Sequence, residues 1–189
     1  AINFNPIRRY GGVGKPLDPD ADFLVVMQHP VTTEYQKSRI HVRETLLAVQ
    51  RLGIQAFWFW PNVDAGSDGT SGEIRSFREK NPENNLHFFK NMESQDFLRL
   101  LVNSKCLVGN SSVGIRECAY LGVPVVNIGT RQNQRERGNN VLDVDYNKDQ
   151  IQEAIRHHCS CLVRYRSASQ SRPLYGLHWM RCVSLFLVP

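Results

Sequence analysis

Phe23-Leu24-Val25-Val26-Met27 is followed by an amphipathic run over residues 38–52, then by Gly53 and the aromatic stretch Ile54-Gln55-Ala56-Phe57-Trp58-Phe59-Trp60. A short run that is apolar at every position is the pattern of a strand buried on both faces. In residues 38–52, Ile40, Val42, Leu46, Leu47 and Val49 fall mainly on one helical face, and Gly53 supplies the stop. Pro61 closes the second apolar run. The three pieces spell strand, crossover helix, parallel strand.

The same alternation continues down the chain. A helix is expected over 71–80, a strand over 86–89 and a helix over 94–102 with Ser94 as its cap. Cys106-Leu107-Val108 reads as a fourth strand and 113–121 as a helix ended by Gly122. Residues 123–128 make a fifth strand, and Val141-Leu142-Asp143-Val144 a sixth before a helix that starts near Lys148. Strands alternating with helices at this spacing specify an α/β fold with a parallel sheet covered on both faces. Right-handed crossovers make it a doubly wound, Rossmann-like domain.

The 189 residues are 41% apolar and 22% charged, ordinary for a globular chain and wrong for a disordered, collagen-like or coiled-coil one. No apolar run is long enough to span a bilayer, so no membrane partner is expected. The net charge of +5 looks like a nucleic-acid signal until its distribution is read. Beyond Glu153 there is no acidic residue, and Arg156, Arg164, Arg166, Arg172 and Arg181 carry the whole excess. A neutral body argues against nucleic acid. The start, Ala1-Ile2-Asn3-Phe4-Asn5, reads as the interior of a longer protein.

Five cysteines, Cys106, Cys118, Cys159, Cys161 and Cys182, sit at no zinc-like spacing and fit a reducing, cytosolic compartment. Cys106 and Cys118 fall inside apolar or helical patterns, where a free thiol behaves as a small hydrophobe. His157-His158-Cys159-Ser160-Cys161 would crowd its ligands on one turn with no second cluster, so no metal is expected.

In a sheet of this kind ligands bind beyond the carboxyl ends of the strands. The first such loop, Gln28-His29-Pro30-Val31-Thr32-Thr33, offers His29 as a phosphate donor, as an acid or base, or as a capping residue. The second, Pro61-Asn62-Val63-Asp64-Ala65-Gly66-Ser67, has the composition of a turn. The fourth, Gly109-Asn110-Ser111-Ser112-Val113-Gly114-Ile115-Arg116-Glu117, is more pointed. Small residues at a strand-to-helix junction admit a ligand to the backbone, and the first-turn N–H groups attract phosphate. Ser111 and Ser112 add hydroxyls, and Glu117 is placed to accept from a ribose diol. An ordinary Ser-capped helix is the alternative. Gly129-Thr130-Arg131-Gln132 with Arg135-Glu136 suits an anion or a solvated face. Gly11-Gly12-Val13-Gly14-Lys15-Pro16 only mimics a phosphate loop: Arg9 stands where the first Gly is required, and Pro16 replaces the Ser or Thr. It reads as a flexible turn.

Together, His29-Pro30-Val31-Thr32, Pro61-Asn62-Val63-Asp64-Ala65-Gly66-Ser67, Gly109-Asn110-Ser111-Ser112 with Arg116-Glu117, and Gly129-Thr130-Arg131-Gln132 with Arg135-Glu136 resemble the UDP-N-acetylglucosamine 2-epimerase family. The wording is closest to its hydrolysing branch, which makes N-acetylmannosamine and UDP for sialic-acid synthesis. The resemblance spans about residues 21–158, with an echo at Leu174-Tyr175-Gly176. It implies one half of a GT-B-type two-domain enzyme. Residues 1–20 would be the linker from a preceding N-terminal catalytic domain, 21–160 a UDP-binding domain, and 161–189 an atypical basic tail. It further implies that His29, the one catalytic candidate, lies near the diphosphate, and that Ser111 and Ser112 bind phosphate. Glu117 would hold the ribose, Arg131 the nucleotide and the Met92 backbone the uracil, with Asn62 lining the site. Asp64, Lys90 and Asn91 correspond to a region that touches a feedback effector in some members. No cofactor is implied, the longer protein is expected to be a homo-oligomer, and this fragment alone is expected to be inactive. A GT-B glycosyltransferase donor domain or a non-catalytic nucleotide-binding module are the rival readings.

Overall fold

Alternating side chains explain how one strand serves two cores. In the computed structural model, which describes residues 2–61 and 66–169, strand β2 (Phe23–Met27) turns Leu24 and Val26 to one face of the sheet and Phe23 and Val25 to the other. The first face packs on helices α2 (Ser38–Leu52), α3 (Ser67–Lys80) and α7 (Lys148–Ser169) through Leu46, Ile74 and Ile155. The second packs on α1 (Pro6–Tyr10), α4 (Ser94–Asn103), α5 (Ser112–Ile115) and α6 (Glu117–Leu121) through Tyr10, Leu100, Val113 and Cys118. Trp58 and Phe57, adjacent on β3 (Gln55–Phe59), are both fully buried, one in each core.

The remaining strands are β1 (Val13–Gly14), β4 (Leu86–Phe89), β5 (Leu107–Gly109), β6 (Val125–Ile128) and β7 (Val141–Val144). Their order across the sheet is β1-β4-β3-β2-β5-β6-β7, parallel except for β1, which pairs antiparallel with β4. From β2 onward this is the Rossmann order, in which the chain works outward from β2 to one edge and then from β5 to the other. The reversal point lies between β2 and β5, in register through Val25↔Leu107 and Met27↔Gly109. No helix among the described residues is long and apolar enough to cross a membrane.

Several local expectations are corrected. Ile40 is exposed although Ser38, in the same first turn, and Val42 are buried, so Ile40 falls on the outer side of α2. Ser94 is the first helical residue, and Glu93 is the cap, with no side-chain bond. The helix expected over 113–121 breaks at Arg116 (φ −103°, ψ −70°) into α5 and α6. The break turns Glu117 and Cys118 into a fresh first turn.

The segment expected to be a flexible turn is folded onto the sheet edge. Both ring nitrogens of buried His87 lie against its backbone, Nε2 at 2.9 Å from the Gly11 carbonyl and Nδ1 at 3.0 Å from that of Lys15. Buried Asp96 on α4 accepts from the Tyr10 hydroxyl (2.6 Å) and pairs with Arg9 (3.1 Å) and Arg99 (3.0 Å). Such a carboxylate tolerates burial because its lone pairs are met by donors.

Two other histidines make stability depend on pH. His158 on α7 donates Nε2–H to the Val125 carbonyl (3.1 Å), and His41 on α2 stacks flat on Tyr146 at 3.5 Å. Burial is the largest influence on each and lowers its proton affinity below the ordinary imidazole value of 6.5. The unfolded chain therefore binds more protons just below that value, so stability is full above about pH 6.5 and declines as the pH falls through it. The urea midpoint is expected to be lower at pH 5.5 than at pH 7.5, and to fall by less in His158→Gln, whose amide can still donate to Val125. An unchanged midpoint in the wild type would contradict this.

Candidate functional site

The strand order reverses between β2 and β5, the place where sheets of this kind form a ligand crevice, and Asn110 ties together the loops that meet there. Asn110 is completely buried. Its Oδ1 accepts from the His29 N–H (2.7 Å), and its Nδ2 donates to the His29 carbonyl (2.8 Å). One amide thus answers both backbone groups of one residue on the neighbouring strand's loop. The Asn110 carbonyl accepts from Gln132 Nε2 at 2.8 Å and from Arg131 Nη1 at 3.4 Å. Three loops, after β2, β5 and β6, are tied at this one residue.

Gly109 makes the approach possible. Its φ is +133°, and a β-carbon there would overlap the Met27 carbonyl. Immediately beyond, Ser111 caps α5, its Oγ accepting from the Val113 N–H at 3.4 Å. Ser112 opens the helix and is partly exposed. The serine pair and the first-turn amides therefore lie together just beyond the carboxyl end of β5.

Glu117 follows the break at Arg116. Its side chain is 13% exposed, Oε1 lies 3.9 Å from Arg116 Nη2, and buried Oε2 has no hydrogen-bond partner. A carboxylate oxygen held out of water without a donor is costly, and a ligand hydroxyl is the kind of group that answers it. Gln132 has the same feature: its nitrogen is engaged and its buried Oε1 is not.

The far wall is a chain of polar side chains that crosses over the end of β5. Thr130 donates to Glu34 Oε1 (2.8 Å), Glu34 Oε2 lies 3.9 Å from His41 Nδ1, and His41 rests on Tyr146. The Tyr146 hydroxyl lies beside Asn110 and Thr130 without a well-aligned bond to either. The Tyr146 ring fills the space that a β-carbon on Gly129 (φ +72°) would need.

The other predicted residues are more scattered. His29 is buried and tied through its backbone to Asn110. Met92 is buried after β4, and its N–H, expected to face a base, is taken by the Asn91 side chain (2.8 Å). Lys90 and Asn91 are exposed at the same end of the sheet. Asn62 and Asp64 lie outside the described residues, as does the tail from residue 170. In the imagined His-Cys metal cluster, His158 is engaged with Val125. Cys106 and Cys118 are buried free thiols whose proton affinity burial pushes up. Sequence reasoning gave no role to Asn110, Gln132, Glu34 or Tyr146. The local signals were Asn110 as the first polar residue after a buried strand and Gln132 as a member of the Gly129-Thr130-Arg131-Gln132 loop.

An arrangement of this kind holds a phosphorylated ligand by serine hydroxyls, helix amides and a guanidinium, with a carboxylate for a diol. Residues 7–178 match the family described as UDP-N-acetylglucosamine 2-epimerase. A UDP-N,N'-diacetylbacillosamine 2-epimerase (hydrolyzing) of Legionella pneumophila is 34% identical over 149 residues, 79% of this chain and 37% of that protein. A UDP-N-acetylglucosamine 2-epimerase of Neisseria meningitidis is 32% identical over 142 residues, 75% of this chain and 37% of that protein. The chain thus spans little more than a third of these relatives. Among solved structures, the S. aureus MnaA–UDP co-structure superposes with a TM-score of 0.58 at 14% identity, covering 92% of this chain and 44% of that one. UDP-GlcNAc 2-epimerase from Methanocaldococcus jannaschii gives 0.58 at 14% identity, covering 83% and 43%. The doubly wound, Rossmann-like architecture expected from the sequence is the one observed. With a family match across most of its length and relatives above 30% identity, the chain belongs to the UDP-N-acetylglucosamine 2-epimerase family.

Proposed function

We propose that this chain is the UDP-holding half of a hydrolysing UDP-N-acetylglucosamine 2-epimerase, converting UDP-N-acetylglucosamine and water into N-acetylmannosamine and UDP for sialic-acid precursor synthesis in the cytoplasm. The observation that carries the reading is the crevice at the strand-order reversal, where Asn110 fixes the Ser111–Ser112 turn and Glu117 presents an unanswered carboxylate oxygen. Ser111, Ser112 and Arg131 would hold the diphosphate, Glu117 the ribose diol, and the Met92 backbone with Asn62 the base side of the site. His29 would stand near the diphosphate, while Asp64, Lys90 and Asn91 are the candidate effector contacts.

The reaction removes the C2 proton and breaks the bond from C1 to the UDP oxygen, leaving a 2-acetamidoglucal. Water then supplies hydroxyl at C1 and a proton on the opposite face of C2. This half contributes stabilisation of the charge that gathers on the departing diphosphate, through donors fixed before the reaction begins. The groups that move protons belong, on this reading, to a preceding domain.

Joined to such a domain, the protein is expected to release N-acetylmannosamine and UDP, with deuterium at C2 when the reaction is run in D2O. The 189-residue chain alone is expected to give no turnover. Turnover by the chain alone, product without C2 deuterium, or transfer of the sugar to an acceptor would each overturn the proposal.

A further inference from the structure

The loop after β6 reaches Asn110 through Arg131 and Gln132, and consecutive residues of the outer strand β7 hold its two ends. At its start, the Gly129 N–H donates to the Val144 carbonyl at 2.8 Å. At its end, Arg137 Nε donates to Asp143 Oδ2 at 2.6 Å. We infer that Asp143, two strands away from β5, is a positioning residue for nucleotide binding: through Arg137 it fixes the loop in the conformation that brings Arg131 and Gln132 to Asn110. The inference rests on the nucleotide reading of the crevice and names a residue beyond it on which that reading depends.

Asp143 is itself held in place. Strands β6 and β7 pair in the register Asn127↔Asp143, and alternation with Val125 and Val141 puts both side chains on the α5–α6 face of the sheet. There Asn127, 1% exposed, donates Nδ2–H to Asp143 Oδ1 at 2.6 Å. The buried amide orients the carboxylate and leaves its second oxygen to Arg137. A bond from a guanidinium to a carboxylate is of the stronger, charge-assisted kind. Arg137 also donates Nη1–H to the Arg135 carbonyl, so one guanidinium grips both the strand and the loop's own backbone.

The loop needs such a hold. Between its ends it makes two successive tight turns, closed by the Asn133 N–H on the Thr130 carbonyl (2.9 Å) and the Arg135 N–H on the Gln132 carbonyl (3.4 Å). Gln134 has a φ of +65° and is the one non-glycine residue with positive φ among the described residues. A side chain on left-handed backbone is strained and stays there where surrounding contacts impose it. Released from Asp143, the loop would have more relaxed conformations open to it, and ordering it again on binding would lower the affinity. The arginines of the loop, alike in sequence, thus divide. Arg131 reaches toward the Asn110 carbonyl, whereas Arg137 is a strut.

The test is calorimetric titration with UDP of the unaltered chain, Asp143→Asn, Arg137→Ala, Arg131→Ala and the double variant Asp143→Asn, Arg131→Ala. Asp143→Asn keeps one acceptor for Asn127 and turns its amide nitrogen to Arg137, while Arg137→Ala breaks the same bond from the loop side. Each is expected to weaken UDP binding by about three- to tenfold, as a half-exposed charged hydrogen bond implies. In the Arg131→Ala background, Asp143→Asn is expected to have much less effect, because the contact it positions is already gone. Arg137→Ala, altered outside the sheet, takes its place in the cycle should Asp143→Asn not fold. Equal losses with and without Arg131 would make the role merely structural and overturn the inference. Binding by Asp143→Asn as tight as by the unaltered chain would overturn it too. Absence of UDP binding to the unaltered, folded chain would remove the nucleotide reading and this inference with it.

Discussion

Asn110→Ala is expected to lower the free energy of unfolding by about 2–5 kcal/mol and to weaken UDP binding at least about tenfold. The side chain is fully buried and satisfies the N–H and the carbonyl of His29 at 2.7 and 2.8 Å. Truncation leaves both groups buried with no partner, and each costs about 1–3 kcal/mol. The effect on binding follows from the same geometry, because Asn110 connects the His29 loop to the Ser111 turn. Asn110→Asp tests the donor alone. It keeps the acceptor for His29 N–H but sets a carboxylate oxygen against the His29 carbonyl, so it should fall well short of rescue. Urea unfolding and calorimetry on the same samples read both quantities. A variant as stable as the wild type would show that the crevice floor does not depend on this amide.

Gly109→Ala is expected to be at least as damaging, about 3 kcal/mol or more, with no dependence on any ligand. A φ of +133° lies where only glycine is comfortable, and the added carbon would fall on the backbone carbonyl of Met27. The obstruction is main chain in the centre of a sheet, with no side chain to move aside. The β2–β5 pairing would have to open at the position where Met27 meets Gly109. Far-ultraviolet circular dichroism during urea unfolding measures the loss. A cost below about 1 kcal/mol would mean that the two strands separate easily at this end.

The fold was legible because its signals are local. The continuous apolar run at β2, the amphipathic period of α2 and the glycines that end α2 and α6 are each contained within about a dozen residues. The corrections come from contacts between distant parts of the chain. The N-terminal segment is fixed by His87 and Asp96, and neither residue's spacing announces a partner near residue 10. The break at Arg116 has no proline or glycine at its centre, so nothing local marks it.

The site divides in the same way. Ser111, Ser112, Glu117 and Arg131 could be named as candidates because phosphate and diol recognition call for particular residue types at a strand end. Asn110 was visible as a residue but not as a bridge, since its partner His29 is 81 residues earlier. Glu34 and Thr130 are 96 residues apart, and only the strand order brings their loops across β5 to meet.

The most direct test of the whole account is calorimetric titration of the purified chain with UDP, beside a Ser111→Ala, Glu117→Ala double variant. The account predicts saturable binding of one UDP per chain that the double variant loses. Because Glu117 Oε2 is buried without a partner, the variant is also predicted to be no less stable than the wild type apart from its lost Ser111 cap. A folded wild-type chain that binds no UDP, or a double variant that binds it equally well, would contradict the claim that this crevice is a nucleotide site.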